Sequence, residues 1–279
     1  MLQVAERSGV DVELGCPICG AEVLRALIRL RDGSRWGQCT NCGLWIHEGG
    51  DPPEGDVVGG KDPSIRDLAA ARAQWQLHLF RALARQRTIR SVFDIGCGPG
   101  IFLHQLRRLG VQADGIELDP ELAEEAEVPA GDFLEYSPPA DAPALHYDLV
   151  TAFDVIEHLD DLRGACTKAA ELGNLLLITT PDGSFLRAFL HSPEHRVLFT
   201  ISSLYRWLFI AFDWARVWRY TTDPRRDPTV AKYGDSALLV GLAGKGKPFY
   251  VDFPGYLGPF RRREIFLVKE VSSTYANGN

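Results

Sequence analysis

The sequence predicts an α/β protein with a parallel sheet, preceded by a small module built on cysteines. Three observations carry this expectation. From residue 91 onward, short apolar runs alternate with helical periodicities, the order expected when strands of one sheet are joined by crossover helices. Gly96, Gly98 and Gly100 sit between the first such run and the first such helix. Four of the six cysteines, Cys16, Cys19, Cys39 and Cys42, lie near the start of the chain as two Cys-x-x-Cys-Gly pairs.

The cysteine pairs come first. The gap between them is 19 residues, within the range of tetrahedral four-cysteine zinc sites. The glycine after each pair lets the backbone curl its N–H groups toward the sulfurs. Four thiolates leave no open coordination position, so the zinc would be structural and would supply folding energy that a segment of this size lacks. Disulfides and a redox motif are the alternatives. Reducing surroundings disfavour the first, and two copies are unnecessary for the second. Between the pairs, Val23 to Leu30 is a short alternating segment. Residues 1–50 form this module, and the glycine- and proline-rich residues 51–62 read as a linker.

A helix is expected from Pro63, capped by Ser64, with Leu68, Ala71, Trp75, Leu79, Ala82 and Leu83 on its apolar stripe. Ser91 to Ile95 is a strand and Ile101 to Leu109 a helix ended by Gly110. Val111 to Leu118 is a second strand and Glu121 to Ala126 a second helix. Tyr147 to Phe153 is a strand followed by a helix of about fifteen residues ending at Leu172. Leu175 to Thr180 is apolar throughout, as in a strand buried on both faces. Ala237 to Leu242 is a late strand. Residues 63–246 thus form the main domain and 247–279 an extension, whose last residues, Ser272 to Asn279, read as disordered. Cys97 reads as a loop residue and Cys166 as a helix-packing one.

The glycine loop follows a strand and opens a helix, where turns are tight and oriented N–H groups can meet a ligand. A nicotinamide fingerprint needs Gly-x-Gly-x-x-Gly, and here the position after Gly100 is Ile101. The strand ends in Asp94, whose carboxylate would repel a pyrophosphate and attract a cation. S-adenosyl-L-methionine carries an ammonium and a sulfonium. Glu117 follows the second strand and can accept from ribose hydroxyls. Asp132 can accept from an adenine amino group. One such acid alone would read as loop solvation, but three in order behind a glycine loop point to a nucleoside cofactor.

Val92 to Gly100, Glu117, Gly131-Asp132, the run Tyr147 to Leu159 and Leu175 to Asp182 resemble, in order, the motifs of class I S-adenosylmethionine-dependent methyltransferases. The resemblance covers about residues 65–243 and is strongest to small-molecule (sugar- and quinol-type) members. It implies a Rossmann-like sheet of seven strands, mostly parallel with an antiparallel last strand, and helices on both faces. It also implies that Asp94, Gly96, Gly98 and Gly100 line the methionine moiety, Glu117 the ribose and Asp132 the adenine. Leu118, Phe133, Phe153 and Asp154 would complete the cofactor site.

On the acceptor side, catalysis needs alignment, exclusion of water and, for some acceptors, a base. His158 and His195 are the candidates. The segment from His191 to Thr200 resembles the Glu-His…Phe-Thr stretch of sugar and quinol methyltransferases, without the Tyr-x-Glu-His form of the zinc-containing sugar C-methyltransferases. Each histidine also has a structural reading, His158 as a cap or packing residue and His195 as a solvated loop residue. On one helix Asp154, Glu157 and His158 would share a face. That face reads either as a divalent-metal site or as an ordinary polar helix start. The aromatic residues between Phe199 and Tyr220 read as core, as a pocket wall or lid, or as a homodimer face.

The net charge of −7 disfavours nucleic acid and anionic lipid as partners. Residues 1–60 carry five basic and nine acidic residues, so the module is itself acidic. The basic exception is the tail, which includes Arg261-Arg262-Arg263. There is no export signal and no apolar run of the roughly 18–20 residues needed to span a membrane, so a cytoplasmic enzyme is expected. The expected activity is methyl transfer to oxygen or carbon of a sugar, quinone-like or natural-product intermediate. An rRNA or tRNA methyltransferase and a non-catalytic cofactor-binding scaffold are the alternatives.

Overall fold

A computed structural model describes residues 15–21, 24–29, 35–48, 63–137, 146–188, 194–222, 237–257 and 260–267. The 51–62 linker, residues 272–279 and the side chains of Ser64 and Leu68 lie outside the described set.

The cysteine module supplies three antiparallel strands, β1 (Leu24–Arg29), β2 (Arg35–Cys39) and β3 (Trp45–Glu48). The main sheet follows α1 (Pro63–Ala84), which starts on a proline, a residue suited to the first helical turn. β4 (Ser91–Ile95), β5 (Gln112–Ile116), β6 (Leu149–Phe153) and β7 (Leu175–Pro181) are parallel. Helices α2 (Ile101–Arg108), α3 (Pro120–Ala126) and α4 (Leu162–Leu172) join them. Asp119 caps α3 by accepting from the Glu121 and Leu122 N–H groups, and Asp161 caps α4 by accepting from Gly164.

After β7 the chain makes the two-residue strand β8 (Val197–Leu198) and then α5 (Ile201–Leu208), which opens on a Thr200/Ser203 capping box. β9 (Trp214–Thr222) and β10 (Ala237–Gly244) return antiparallel, with β10 inserted between β9 and β7. The tail adds β11 (Tyr256–Leu257) and β12 (Phe260–Leu267), and β12 pairs with β9. The sheet therefore has eight strands in the order β11-β12-β9-β10-β7-β6-β4-β5, not the expected seven. Beyond β5 there is an isolated parallel bridge between Glu117 and Ala130, and the tail supplies β11 and β12 at the other edge.

Both faces of the sheet are covered at its centre, which is why β7 reads as an unbroken apolar run. Along β7, Leu175 and Leu177 face the layer holding α1 and α2, while Leu176 and Ile178 face the layer holding α4 and α5. The buried stripe of α1 differs from expectation. Ala71 is exposed, whereas Ala73, Leu77 and Phe80 are buried. Phe80 meets Phe102 of α2 and Trp75 meets Phe153 of β6, both edge to face, so α1 is buried over a wider arc than one stripe. The aromatic residues after Phe199 are core: Phe199, Trp207, Trp214, Trp218 and Tyr220 are all buried.

β8 pairs with β3, not with the main sheet, so the cysteine sheet has four strands in the order β1-β2-β3-β8. Cys16, Ile18, Cys39, Cys42 and Leu44 pack into the same apolar cluster as α4, α5 and Phe199.

Candidate active site

The glycine loop connects β4 to α2. Gly96, Gly98 and Gly100 all have positive φ. At Gly100 (φ 70°) a Cβ would lie 2.7 Å from Ala126 Cβ, so glycine is required where the loop crosses α3. At Gly98 (φ 56°) a Cβ would meet nothing within 4 Å. Asp94, Gly96, Gly98 and Phe153 line one cavity, joined by Arg72 and Gln76 from α1.

Asp94 is 4% exposed, and its Oδ1 accepts from the Thr151 hydroxyl at 2.6 Å. Burial pushes its pKa up to about 7, against the opposing pull of that hydrogen bond. Glu117 accepts from Gly98 N at 2.7 Å through Oε2 and from Asp119 N at 3.1 Å through Oε1, tying the end of β5 to the glycine loop. Leu118 is largely exposed beside it. Asp132 is exposed and caps its own turn by accepting from Leu134 N, while Phe133 is buried in the core. Thus Asp94, the glycines, Phe153 and Glu117 are gathered around the loop, and Asp132 is not among the residues lining the cavity.

Arg72 was not legible as a site residue. It lines the cavity, and its Nη2 lies 3.3 Å from Asp154 Oδ2. The available signal was Ala69, Arg72 and Gln76, spaced three and four apart beside the apolar stripe, which places them on one helix face.

Beyond β6 the structure differs from the expected long helix. Asp154 has φ 56°, residues Ile156–His158 form a single 3₁₀ turn, and α4 starts only at Leu162. Asp154, Glu157 and His158 therefore share no helix face. Asp154 turns toward Arg72 and Thr179, whose hydroxyl donates to its Oδ1 at 3.0 Å. Glu157 is 1% exposed and accepts from Thr180 Oγ1 at 3.0 Å. Burial, then the Asp154 charge, raise its pKa well above the usual carboxylate range. The donor atoms that gather within 4.8 Å of one another belong to Glu157, His158 and His195.

His158 Nδ1 lies 3.1 Å from the Glu194 carbonyl oxygen. A carbonyl only accepts, so Nδ1 carries the proton and Nε2 keeps the lone pair. Burial lowers the His158 pKa, which favours the neutral imidazole. The His195 ring packs 5.0 Å from it. The His158 side chain is 34% exposed, whereas His195 is 7% exposed, so His158 is the more accessible of the two.

In the cysteine module all four sulfurs lie within 4.8 Å of one another, with Cys16–Cys42 and Cys19–Cys39 each at 3.5 Å. A disulfide needs about 2.05 Å. Tetrahedral sulfurs at about 2.3 Å from a zinc ion would lie roughly 3.8 Å apart. Gly20 and Gly43, both at positive φ, donate their N–H groups to the Cys16 and Cys39 carbonyls at 2.8 Å, closing two matching knuckles. The donor set fits a four-thiolate ion. Cys166 lies elsewhere and donates to the Trp207 carbonyl at 3.1 Å.

Residues 68–221 match the methyltransferase-domain family. A ubiquinone biosynthesis O-methyltransferase from Methylococcus capsulatus is 33% identical over 112 residues, covering 36% of this chain and 47% of that protein. Its counterpart from Albidiferax ferrireducens is 29% identical over 132 residues, covering 43% and 50%. The chain thus spans about half the length of these relatives. A methyltransferase structure from Archaeoglobus fulgidus superposes with TM-score 0.51 at 19% identity, over 66% of this chain and all of that one, a likeness of fold. No helix among the described residues is long and apolar enough to cross a membrane.

Proposed function

The chain belongs to the class I S-adenosylmethionine-dependent methyltransferases, and on that premise we propose that it methylates a hydroxyl oxygen of a small-molecule acceptor, with His158 as the base. The bound cofactor supplies a methyl group already activated on a sulfonium. The protein must therefore bind, orient and keep water out. The observation that carries the cofactor site is the convergence of buried Asp94, loop residues 96–99 and Arg72 on one cavity. Asp94 suits an ammonium and Arg72 a carboxylate, the two charges of an amino-acid moiety. Glu117, beside Gly98, suits ribose hydroxyls, with Leu118 against the adenine and Asp132 at its rim.

His158 is neutral, with its lone pair on Nε2, and can take the proton of an acceptor hydroxyl there. Glu194 holds the tautomer, and His195 packs against the ring. The relatives named as ubiquinone biosynthesis O-methyltransferases support a dihydroxybenzene ring as the first acceptor to test. We assign the four cysteines to one structural zinc ion that holds the module.

Calorimetry with S-adenosylhomocysteine tests the cofactor site. Wild type binds, and Asp94→Ala binds at least tenfold more weakly. Undiminished binding by the variant overturns the assignment. Transfer of labelled methyl to a dihydroxybenzene panel tests the base. His158→Ala should lose about 10²–10⁴ in kcat with S-adenosylhomocysteine affinity unchanged.

A further inference from the structure

We infer that the cysteine module is a positioning element for the acceptor side, acting through the peptide of Arg196 on the turn that carries His158. The inference rests on the reading of His158 as the acceptor-side base. β3 of the module pairs Trp45 with Leu198 and Ile46 with Val197 of β8. One residue further, His47 N–H donates to the Arg196 carbonyl at 2.9 Å. The N–H of the same residue, Arg196, donates to the Glu157 carbonyl at 2.8 Å. The preceding residues are tied in as well, since His158 Nδ1 meets the Glu194 carbonyl and the His195 ring packs on His158. A backbone path of two hydrogen bonds thus runs from the module to the 156–158 turn.

Both knuckles are anchored to the same part of the domain. Arg163 of α4 donates to the Ile18 carbonyl of the first knuckle at 3.0 Å. Thr200, the cap of α5, donates to the Cys42 carbonyl of the second at 3.3 Å. At its other end β8 is fixed by Gly183 N–H, which donates to the Phe199 carbonyl at 2.7 Å. These contacts fall on α4, α5 and residues 157 and 196–200, away from the 94–100 loop. The strand that fixes residues 194–198 belongs to the cysteine sheet, so loosening the module frees the acceptor-side turn while the cofactor loop keeps its own supports, Glu117 and Thr151.

The test is His47→Pro in the full chain. In an antiparallel strand the N–H and carbonyl of one residue point to the same neighbour. His47 spends its N–H on β8, so proline removes a bond to β8 and none to β2. Four readouts need no acceptor: zinc content, S-adenosylhomocysteine affinity, amide hydrogen exchange and the His158 Cε1–H NMR signal. We expect about one zinc per chain and affinity within twofold of wild type. Exchange at the Arg196 and His158 amides should rise at least tenfold, and the His158 Cε1–H NMR signal should move. Unchanged protection at Arg196 and an unmoved His158 signal overturn the inference. Arg163→Met, which touches neither strand nor cysteine, provides the check if His47→Pro loses its zinc. It should raise exchange at Arg196 in the same direction, and unchanged protection there also overturns the inference. Failure of the base assignment is separable, because it appears as turnover retained in His158→Ala.

Discussion

Alanine at Gly98 and at Gly100 should separate what the glycine loop does for the ligand from what it does for the fold. Both residues sit in the left-handed region, at φ 56° and 70°. An L side chain there costs about 1–2 kcal/mol. At Gly98 nothing further is added, because the new Cβ meets no atom within 4 Å. At Gly100 it would press to 2.7 Å from Ala126 Cβ and 2.8 Å from Ala126 Cα, and Ala126 is fully buried on α3. Backbone cannot swing aside as a side chain does, so overpacking adds about 1–3 kcal/mol. Gly100→Ala should therefore cost about 2–5 kcal/mol in total and Gly98→Ala about 1–2. At about 2–4 °C per kcal/mol, the first melts lower than the second by several degrees. Gly98 lines the cavity, so its methyl should weaken S-adenosylhomocysteine at least tenfold, about 1.4 kcal/mol. Differential scanning calorimetry without ligand and isothermal titration with it measure the two effects. Equal melting temperatures, or full affinity in Gly98→Ala, would refute the division of labour.

The buried Asp94, with its pKa raised to about 7, predicts a pH dependence with a definite sign. Between its ordinary value and about 7 the folded protein holds a proton the unfolded chain has lost, so this group lowers ligand-free stability as pH rises across that window, after which its contribution is constant. An ammonium needs the carboxylate, so S-adenosylhomocysteine affinity should fall by up to about tenfold per unit below pH 7 and level off above it; Asp94→Asn should lose that slope. Protein purified without added metal should contain about one zinc per chain by mass spectrometry, and Cys39→Ser should lose both the metal and the protection of residues 35–48. A Cys39→Ser protein that keeps its fold without zinc would defeat the structural role. Asp182 is fully buried and paired with Arg219, which is largely buried too, so Asp182→Ala should cost about 3–5 kcal/mol in urea unfolding.

Much of the sheet was legible because its strands are buried on both faces. Ser91 to Ile95 and Leu175 to Thr180 read as strands, and they are strands. The cysteine knuckles and the glycine loop were legible from spacing alone. The features that escaped are those set by distant partners. β8 is two residues long and exists because β3 lies beside it. β11 and β12 are strands because β9 offers an open edge. The helix expected after β6 failed at Asp154, whose left-handed backbone ends any continuous helical face. Arg72 carries no signal of its own in the sequence, because a single arginine on a helix reads as a solvated residue until Asp154 is placed opposite it.

The pairing of β3 with β8 also bears on the order of synthesis. The bond from Thr200 to the Cys42 carbonyl spans 158 residues of chain. At about 5–20 residues per second, the knuckles leave the ribosome roughly eight to thirty seconds before the strand that completes their sheet. In that interval the four thiols have no docking surface and only each other, or an ion, for company. On the proposed zinc assignment, metal loading is an early event and docking a late one. A nascent chain whose cysteines oxidise first would carry its methyltransferase sheet without the strand partner that fixes residues 196–198.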